Sequence, residues 1–501
     1  MSDSCPIRSW EFRVVDGADH HHGDWAPIEV PGCWEDAGVR KDYAGPVDYR
    51  ATIAVPEFGE EERVCVRFGA VSYACTVAVD GVEVGRHVGM WDGFEIDVTD
   101  AVMPGCTSEL TVRVEKPASL TAGPDSEPVA GRYPTRQTLA GFLPYVWGHV
   151  HGGIWQDVEL VVRRGTSLRD VTTWGRPDGT LTAHATVSSP AMVRLTVTDQ
   201  DGTVVAEIDE WADDTATLRV VVPTPRAWSP LSPYLYTVAL SVKGGESVTR
   251  RIGLREVAAD GGRLTLNGEP LYPRMLLSWG WYPDNLFCNP GPDRVRADFA
   301  QLKRLGFNGV KLCLWFPPAY YFDIADEMGI LLWVELPMWL PHPTEHFLDQ
   351  LGTEVDRLVQ ASRDHTSVIL YTLGCELSSV IGDDVLGPLY GRVKTLGRDA
   401  LVRDNSGSGE AYGGLLTEYA DFYDHHLYCE PQYFRETLEH FAPRWRTEKP
   451  WLFGEFCDLD TFRDLRRFGD DRGRWPWWTS DDPAVNPQGA RWQYDVQDHE
   501  R

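Results

Sequence analysis

The sequence of 501 residues has no long apolar run and few basic residues, and each absence excludes a class of protein. No stretch approaches the ~20 consecutive apolar residues that a membrane-spanning helix requires, so no membrane partner is expected. Lys and Arg number 47 against 75 Asp and Glu, which gives a net charge of −28. That charge argues against nucleic acid or anionic lipid as a partner.

Paired cysteines and cofactor motifs are also missing. The ten cysteines are scattered, and none belongs to a Cys-x-x-Cys pair. The N-terminus has no basic segment followed by an apolar core, so reduced thiols in the cytoplasm are expected. The short histidine run at 20–22 favours a solvated loop over a metal site, and no phosphate-binding loop with its lysine is present, so neither a metal ion nor a cofactor is expected.

What the sequence does contain indicates a globular protein of several domains. Its length suggests two to four domains, and 43% hydrophobic with 24% charged residues is typical of soluble folds. Twenty tryptophans are many for this length. Flat indole rings suit the C–H faces of sugars, but β-rich cores also bury tryptophan, so the count only favours a carbohydrate partner.

The first half of the chain has the pattern of two all-β segments, 1–165 and 166–257. Short alternating runs such as Arg63–Phe68 are separated by turn signals, and Asp80-Gly81 predicts a hairpin turn. In the second segment, residues 191–200 alternate between apolar and polar. Evenly spaced short strands of this kind predict β-sandwiches or jelly rolls.

From residue 261 the pattern changes to strands that alternate with helices. Apolar residues recur at helical spacing over 295–305, Gly306 ends that helix, and a strand follows at 309–315. Repetition of this unit predicts a (β/α)8-type TIM barrel. After Glu455 no apolar run of the length of a central strand follows, so the barrel is predicted to lack its last unit.

Two carboxylates follow buried strands in matching contexts. The apolar run 368–373 leads through Gly374 to Glu376, and the run 451–453 leads through Gly454 to Glu455. Barrel active sites lie at the C-terminal ends of the strands. Two carboxyl groups at one barrel mouth are what retaining glycoside hydrolysis needs, one to protonate the leaving oxygen and one to attack the anomeric carbon.

Both strings resemble the catalytic signatures of glycoside hydrolase family 2, which contains β-galactosidases, β-glucuronidases and β-mannosidases. The first reads His365-Thr366-Ser367, the strand, then Gly374-Cys375-Glu376. The resemblance implies that Glu376 is the acid/base and Glu455 the nucleophile. Where Cys375 stands, the family pattern has an Asn that hydrogen-bonds the sugar 2-hydroxyl. A thiol is a weak donor and acceptor, so this position bears on the identity of the substrate.

The resemblance covers nearly all of the chain and implies a multidomain β and α/β fold. A sugar-binding-like jelly-roll sandwich is expected over 1–165 and an immunoglobulin-like sandwich over 166–257. A TIM-barrel catalytic domain that lacks its last unit is expected over 258–501.

Further substrate-binding candidates lie at the predicted ends of barrel strands, although each can equally be a packing residue. Besides Cys375, the candidates are Trp279, Trp281, Trp315, Glu335, His425 and Tyr428. His425 and His426 are adjacent in the sixth strand, and successive strand residues face opposite sides. At most one of the two can therefore face the barrel interior.

These observations predict a retaining, exo-acting β-glycosidase with a carbohydrate substrate, such as a glycoside or an oligosaccharide. The alternative is a catalytically impaired, carbohydrate-binding relative, which Cys375 and the missing barrel unit favour. The sugar stays unassigned, and assembly into a homo-oligomer stays open.

Overall fold

The structure is a computed structural model of the chain. It describes residues 3–15, 23–118, 132–141, 143, 149–282, 285–377, 380–407, 419–427, 434–441 and 448–456. Within them, the chain forms several antiparallel sheets followed by parallel strands and helices. The expected fold class, a multidomain protein rich in β structure, is therefore confirmed at this level.

The first antiparallel region consists of a four-stranded sheet, a six-stranded sheet and a small pair. Its strands are β1 Asp3–Pro6, β2 Trp10–Val14, β3 Ala26–Ile28, β4 Val47–Ala54, β5 Arg63–Phe68, β6 Val71–Ser72, β7 Ala74–Val79, β8 Val82–Val88, β9 Phe94–Asp97, β10 Thr107–Glu115, β11 Gly153–Ile154 and β12 Val158–Arg163. The sheet orders are β1-β12-β5-β9, β3-β2-β4-β10-β7-β8 and β11-β6. Two short 3₁₀ turns, Thr99–Ala101 and Thr135–Gln137, accompany them.

Alternation along these strands builds the core of the first region. In β10, Leu110, Val112 and Val114 are buried, whereas the residues between them are more exposed. The predicted turn at Asp80-Gly81 joins β7 to β8, with φ of 47° and 81° at its two residues. Both lie in the left-handed region that tight hairpin turns require, so this prediction is confirmed.

The second antiparallel region packs two sheets around a core of its own. Its strands are β13 Leu168–Gly175, β14 Thr180–Val187, β15 Ala191–Thr198, β16 Val204–Ala212, β17 Thr215–Val221, β18 Tyr236–Val242 and β19 Ser247–Ile252. The sheet orders are β13-β14-β17 and β16-β15-β18-β19. Val193, Leu195 and Val197 of β15 are buried, as the alternation of the sequence predicts.

The third region begins with a small antiparallel sheet and continues with parallel strands and helices. The strands are β20 Val257–Asp260, β21 Arg263–Leu266, β22 Glu269–Leu271, β23 Met275–Ser278, β24 Gly309–Leu312, β25 Leu331–Glu335, β26 Val368–Thr372, β27 Leu401–Arg403, β28 Tyr423–Leu427 and β29 Trp451–Phe456. The helices are α1 Pro292–Arg304, α2 Ala319–Met328, α3 Glu345–Ser362, α4 Asp383–Leu396 and α5 Phe434–Phe441.

Strands β23 to β27 form one parallel sheet in sequence order, and β28 pairs in parallel with β29. The helices lie between successive strands, as in repeated strand–helix units. Within the described ranges, no ladder joins the five-stranded sheet to the pair. The stretch 457–501, where the last barrel unit was predicted to be missing, lies outside the described residues, and the complete TIM-barrel description stays a prediction.

Glycine and capping residues define the ends of these helices. Gly329 ends α2 in the left-handed conformation, with φ of 71°. A Cβ there would lie 2.7 Å from the carbonyl oxygen of Pro230, so close packing also requires a glycine. Thr344 caps α3 by accepting a hydrogen bond from the amide of Phe347. In the described part of the chain, no helix is both long enough and apolar enough to cross a membrane.

The first region touches the ends of the parallel strands. Gly141 lies so close to the carbonyl oxygen of Leu314 that any Cβ at residue 141 would overlap it. Arg136 donates from Nε to the carbonyl oxygen of Leu340, and its own carbonyl accepts from the amide of His342. The N-terminal region therefore contributes to the same edge of the parallel sheet at which the candidate carboxylates lie.

Candidate active site

Charged and thiol side chains gather where the parallel strands end. Lys311 lies in β24 and Cys313 follows that strand directly, while Glu335 is the last residue of β25. Cys375 lies three residues beyond β26 and forms parallel bridges with Trp339 and Ser406. Because β24, β25 and β26 are parallel neighbours, their carboxyl ends share one edge of the sheet.

The backbone of Glu376 is held in an uncommon conformation. Its φ is 49°, a left-handed value that costs free energy for a residue with a Cβ. The amide of Glu376 donates to the carbonyl oxygen of Ser406, at 2.9 Å. The side chain of Asn405 accepts from the amide of Leu377 and donates to its carbonyl oxygen. These contacts place the Glu376 carboxyl over the neighbouring strand ends.

A bulge in β29 directs Glu455 towards the same place. His425 pairs with Phe453 and His426 pairs with Glu455, so Gly454 is an extra residue in the ladder. The amide of Gly454 donates to Oδ1 of Asp424, at 2.6 Å. A Cβ at residue 454 would lie 2.5 Å from the same oxygen, so the bulge requires glycine.

His426 lies between the two candidate carboxylates. Its Nδ1 is 3.0 Å from Oε1 of Glu376 and 3.7 Å from Oε2 of Glu455. One donor atom from each of these three residues lies within 4.8 Å of the others. The side chains of both glutamates are 12% exposed, whereas that of His426 is fully buried. A small part of the surface of each glutamate side chain is therefore accessible from outside the protein.

The hydrogen bonds around Ser406 identify which nitrogen of His426 carries a proton. Ser406 Oγ is 2.5 Å from Oδ2 of Asp424 and donates its only hydrogen there, because a carboxylate can only accept. Ser406 Oγ then accepts from Lys311 Nζ, at 2.8 Å, and from His426 Nε2, at 2.9 Å. His426 is thus protonated on Nε2, and Nδ1 is the atom that shares a proton with Glu376.

Opposing effects set the proton affinity of His426. Burial lowers the pKa of His426, whereas the hydrogen bond to Glu376 and the charge of Glu455 raise it. The raising effects are the larger, so the pKa of His426 lies above its ordinary value. The imidazole is therefore adapted to hold a proton between two carboxyl groups.

Lys311 supplies a buried positive charge to the site. Its Nζ is 2.9 Å from Oε2 of Glu335 and 3.8 Å from Oε1 of Glu455. Nζ also lies 4.8 Å from the ring centroid of Trp333. Burial lowers the pKa of Lys311, but the charges of Glu335 and Glu455 outweigh it and raise the pKa well above the ordinary value. The ammonium group therefore compensates buried carboxylates at this edge.

Two thiols lie against the carboxyl group of Glu455. The Sγ atoms of Cys313 and Cys375 are each 3.6 Å from Glu455 Oε1. Burial, the neighbouring Cys313 and the charges of Glu335 and Glu455 raise the pKa of Cys375 well above its usual value. Burial also raises the pKa of Cys313. The family-type Asn is thus replaced by a protonated thiol in direct contact with Glu455.

The structure brings some of the predicted candidates together and leaves others apart. Trp279 is half-buried and packs against the small buried cluster that contains Cys313, Leu314 and Cys375. Trp315 is fully buried, and its Nε1 donates to the carbonyl oxygen of Ser278. Its position is that of a residue packed inside the fold. Trp281 is half-buried and packs against the core of the parallel region.

Of the two adjacent histidines in the sixth predicted strand, His426 lies in the site and His425 does not. The ring of His425 stacks on Trp451, with centroids 4.4 Å apart, while His426 contacts the carboxylates. Tyr428 lies outside the described residues. Among the residues that sequence reasoning did not select, Asp424 and Ser406 hold the network together. Neither residue is a carboxylate placed just after an apolar run, which was the pattern used to select Glu376 and Glu455. Only the three-dimensional contacts reveal them.

The first part of the family-like motif lies at the opposite end of β26. His365 Nδ1 is 2.8 Å from Oδ2 of Asp326, and the amide of Ser367 donates to Oδ1 of the same carboxyl group. These contacts fix the start of the strand whose other end carries Glu376. His365 and Ser367 are therefore positioning residues of the fold.

Comparison with known proteins agrees with the motif. Residues 170–255 match the family model described as Glycosyl hydrolases family 2. A β-glucuronidase of Paenibacillus borealis is 25% identical over 397 aligned positions, which cover 72% of this chain and 64% of that protein. A β-galactosidase of Arthrobacter sp. (strain B7) is 27% identical over 352 positions, which cover 66% and 31%.

The chain is similar to members of glycoside hydrolase family 2. The resemblance expected from the two carboxylate motifs is thereby confirmed. A solved β-glucuronidase of Ruminococcus gnavus superposes with a TM-score of 0.75 and covers 91% of this chain and 83% of that one, at 19% sequence identity. That likeness concerns the fold. The chain spans less than two thirds of the length of the two curated proteins.

Proposed function

We propose that this protein is a retaining, exo-acting β-glycosidase, with Glu455 as the nucleophile and Glu376 as the acid/base. One observation carries the proposal: an oxygen of Glu376 and an oxygen of Glu455 lie within 4.8 Å of each other. Retaining enzymes place their carboxyl groups about 5–5.5 Å apart, whereas inverting enzymes need about 6.5–9.5 Å to admit a water molecule. The short separation supports retention.

The proposed first step uses both carboxyl groups. Glu376 donates its proton to the glycosidic oxygen while a carboxylate oxygen of Glu455 attacks the anomeric carbon from the opposite face. The glycosidic bond breaks, the alcohol leaves and a glycosyl ester forms on Glu455. In the second step Glu376 removes a proton from water, the water oxygen attacks the anomeric carbon and the bond to Glu455 breaks.

The surrounding residues support these two roles in different ways. Lys311 places a positive charge beside the proposed nucleophile, with Nζ 3.8 Å from Glu455 Oε1. His426 holds a proton 3.0 Å from Glu376 and is a positioning residue for the acid/base. The two parallel sheets are proposed to be parts of one TIM barrel, since its strands would bring all these ends to a single mouth.

The substrate is proposed to be a carbohydrate with a β-linked terminal sugar, processed in the cytoplasm. The named relatives are β-glucuronidases and β-galactosidases, so glucuronides and galactosides are the first candidates. Trp279, half-buried beside Cys313 and Cys375, is proposed to pack against the sugar.

A catalytically impaired, carbohydrate-binding protein is the second candidate function. The observation that favours it is the buried Cys375, which contacts Glu455 in place of an amide. A weak donor at that position cannot strengthen its hold on a sugar hydroxyl as the transition state forms. This candidate predicts sugar binding without turnover.

A screen of aryl glycosides decides between the two candidates. It should include β-linked galactose, glucuronic acid and mannose, together with galacturonic acid and arabinose. Enzyme activity predicts release of aryl alcohol from at least one glycoside, with NMR showing that the first sugar product keeps the β configuration. Turnover with inversion would overturn the double displacement, and binding without turnover would favour the second candidate.

Two glutamate variants complete the test. Glu455→Gln should abolish turnover while leaving the melting temperature close to that of the parent chain. Glu269→Gln, an exposed position in β22, is the matched control and should leave turnover unchanged. Equal loss in both variants would show that the assay does not report on Glu455.

A further inference from the structure

The ends of four strands bring two thiols and two carboxyl groups together in one buried cluster. The residues are Cys313 after β24, Glu335 at the end of β25, Cys375 after β26 and Glu455 in β29. One donor atom from each lies within 4.8 Å of the other three. We call these four residues the thiol–carboxylate cluster. Of these four residues, only Glu455 takes part in the proposed bond-making and bond-breaking steps.

Two separations within the cluster match those between the sulfur and oxygen ligands of a tetrahedral zinc ion. Zinc binds thiolate sulfur at about 2.3 Å and carboxylate oxygen at about 2.0–2.2 Å, and at the tetrahedral angle these lengths place sulfur about 3.6 Å from oxygen. The Sγ atoms of Cys313 and Cys375 each lie 3.6 Å from Oε1 of Glu455. These two sulfur–oxygen separations are those that two thiolates and one carboxylate oxygen would have around one ion.

The fourth donor is a buried carboxyl group with an unsatisfied oxygen. Glu335 is fully buried, and its Oε2 forms the ion pair with Lys311. Its Oε1 has no hydrogen-bond partner among the described residues. A buried carboxylate oxygen without a donor is costly, and coordination to a cation would remove that cost. This observation is independent of the sulfur–oxygen distances.

The charge of the cluster can also accommodate a divalent cation. Cys313 and Cys375 are buried thiols beside the carboxyl groups of Glu335 and Glu455. A divalent ion would displace both protons, and the two thiolates would then act as ligands. Lys311 adds one further positive charge beside Glu335 and Glu455. With an ion bound, four negative groups would face three positive charges.

We propose that Cys313, Glu335, Cys375 and Glu455 form a binding site for one thiophilic divalent cation, with Zn²⁺ as the best match. Two thiolate ligands select zinc over magnesium and calcium, which prefer oxygen, and two carboxylates complete a four-coordinate set. A corollary rests on the proposed function: the ion occupies the nucleophile Glu455, so bound zinc inhibits the glycosidase.

Cobalt substitution tests the ligands directly. Chelator-treated, reduced protein is titrated with Co²⁺, and the sulfur-to-cobalt charge-transfer absorption is recorded. All variants are made in a Cys429→Ser/Cys457→Ser background, so that the two thiols outside the described residues cannot contribute. One Co²⁺ should bind per chain, and Cys313→Ser or Cys375→Ser should remove about half of the absorption. Each change should also weaken Zn²⁺ binding at least about tenfold, as even outer-shell changes weaken metal sites.

Cys288→Ser is the matched control, because Cys288 is a fully buried thiol outside the cluster. It should leave the cobalt spectrum and the zinc affinity unchanged. Absence of a sulfur-to-cobalt band in the parent chain would overturn the site. So would an unchanged band in a Cys313→Ser/Cys375→Ser double variant.

A measurement on the parent chain covers the case in which a variant does not fold. Zinc-edge X-ray absorption should show two sulfur ligands at about 2.3 Å and two lighter ligands at about 2.0–2.2 Å. A shell without sulfur, or no bound zinc, would overturn the proposal. Neither readout uses a glycoside. The metal-site proposal can therefore be disproved without affecting the glycosidase proposal, and the glycosidase proposal can be disproved without affecting the metal site.

Discussion

The Nδ1 atom of His426 lies 3.0 Å from Oε1 of Glu376, and this contact links the candidate acid/base to the rest of the buried network. The other ring nitrogen is tied through Ser406 to Lys311 and Asp424. The orientation of the imidazole is therefore determined by contacts on both sides. Nδ1 is thereby held facing the Glu376 carboxyl group.

Replacement of His426 should change the pH profile of turnover as well as its rate. In His426→Gln the cation beside Glu376 is lost, so the alkaline limb of kcat/KM should move to higher pH. The rate should fall by about 10²–10⁴, the usual contribution of a group that assists proton transfer. Profiles over a range of pH, with His425→Gln as the control, measure this. A lower rate with an unmoved profile would indicate a purely structural role.

The role of Glu376 should be visible in its dependence on the leaving group. In Glu376→Ala, substrates with poor leaving groups should lose about 10²–10⁴ in rate, because nothing protonates the departing oxygen. Activated aryl glycosides, which need no protonation, should form the glycosyl ester at close to the normal rate. The burst of aryl alcohol measures this first step. Equal losses for good and poor leaving groups would exclude the acid role.

Cys375 can be exchanged for the residue of the family pattern. Cys375→Asn should raise turnover of substrates with an equatorial 2-hydroxyl, because an amide forms a stronger hydrogen bond in the transition state than a thiol. Assays are run with a chelator, so that loss of a metal ligand does not affect the comparison. Cys375→Ser serves as the control of similar size. Lower turnover of every glycoside would mean that the thiol is adapted to the natural sugar.

Glu354 should make the stability of the fold depend on pH. It accepts a 2.8 Å hydrogen bond from the hydroxyl of Tyr73, across the contact between the first region and α3. Burial raises the pKa of Glu354 from 4.5 to about 7. A raised folded-state pKa means that stability is fully present below about pH 4.5 and is lost as the pH rises through 7.

Glu354→Gln keeps an acceptor for Tyr73 but cannot ionise. At pH 8 it should increase the free energy of unfolding by up to about 3 kcal/mol relative to the parent chain, and the gain should vanish near pH 4.5. Thermal melts across this range measure the difference. Glu345→Gln, at the start of α3, is the control and should show no such trend. A gain that does not vary with pH would contradict the ionisation of Glu354.

Several parts of the architecture follow from local sequence patterns. The strand Arg63–Phe68, the turn at Asp80-Gly81 and the alternation in β15 are found where they were predicted. The helix predicted to end before Gly306 is α1, which ends at Arg304. Each of these depends on side-chain periodicity or on one turn, so neighbouring residues contain the information.

Local sequence patterns are enough to place Glu376 and Glu455 shortly after apolar runs that lead into a glycine, although in the structure Glu455 lies within β29 and not beyond its end. Only the tertiary structure decided that His426, and not His425, faces them. The decision rests on the bulge at Gly454, which shifts the register of β29 by one residue, and a one-residue shift reverses the side to which each side chain points. The meeting of Cys313, Glu335 and Cys375 likewise depends on the order of three parallel strands, which joins residues far apart in the chain and leaves no trace in local spacing.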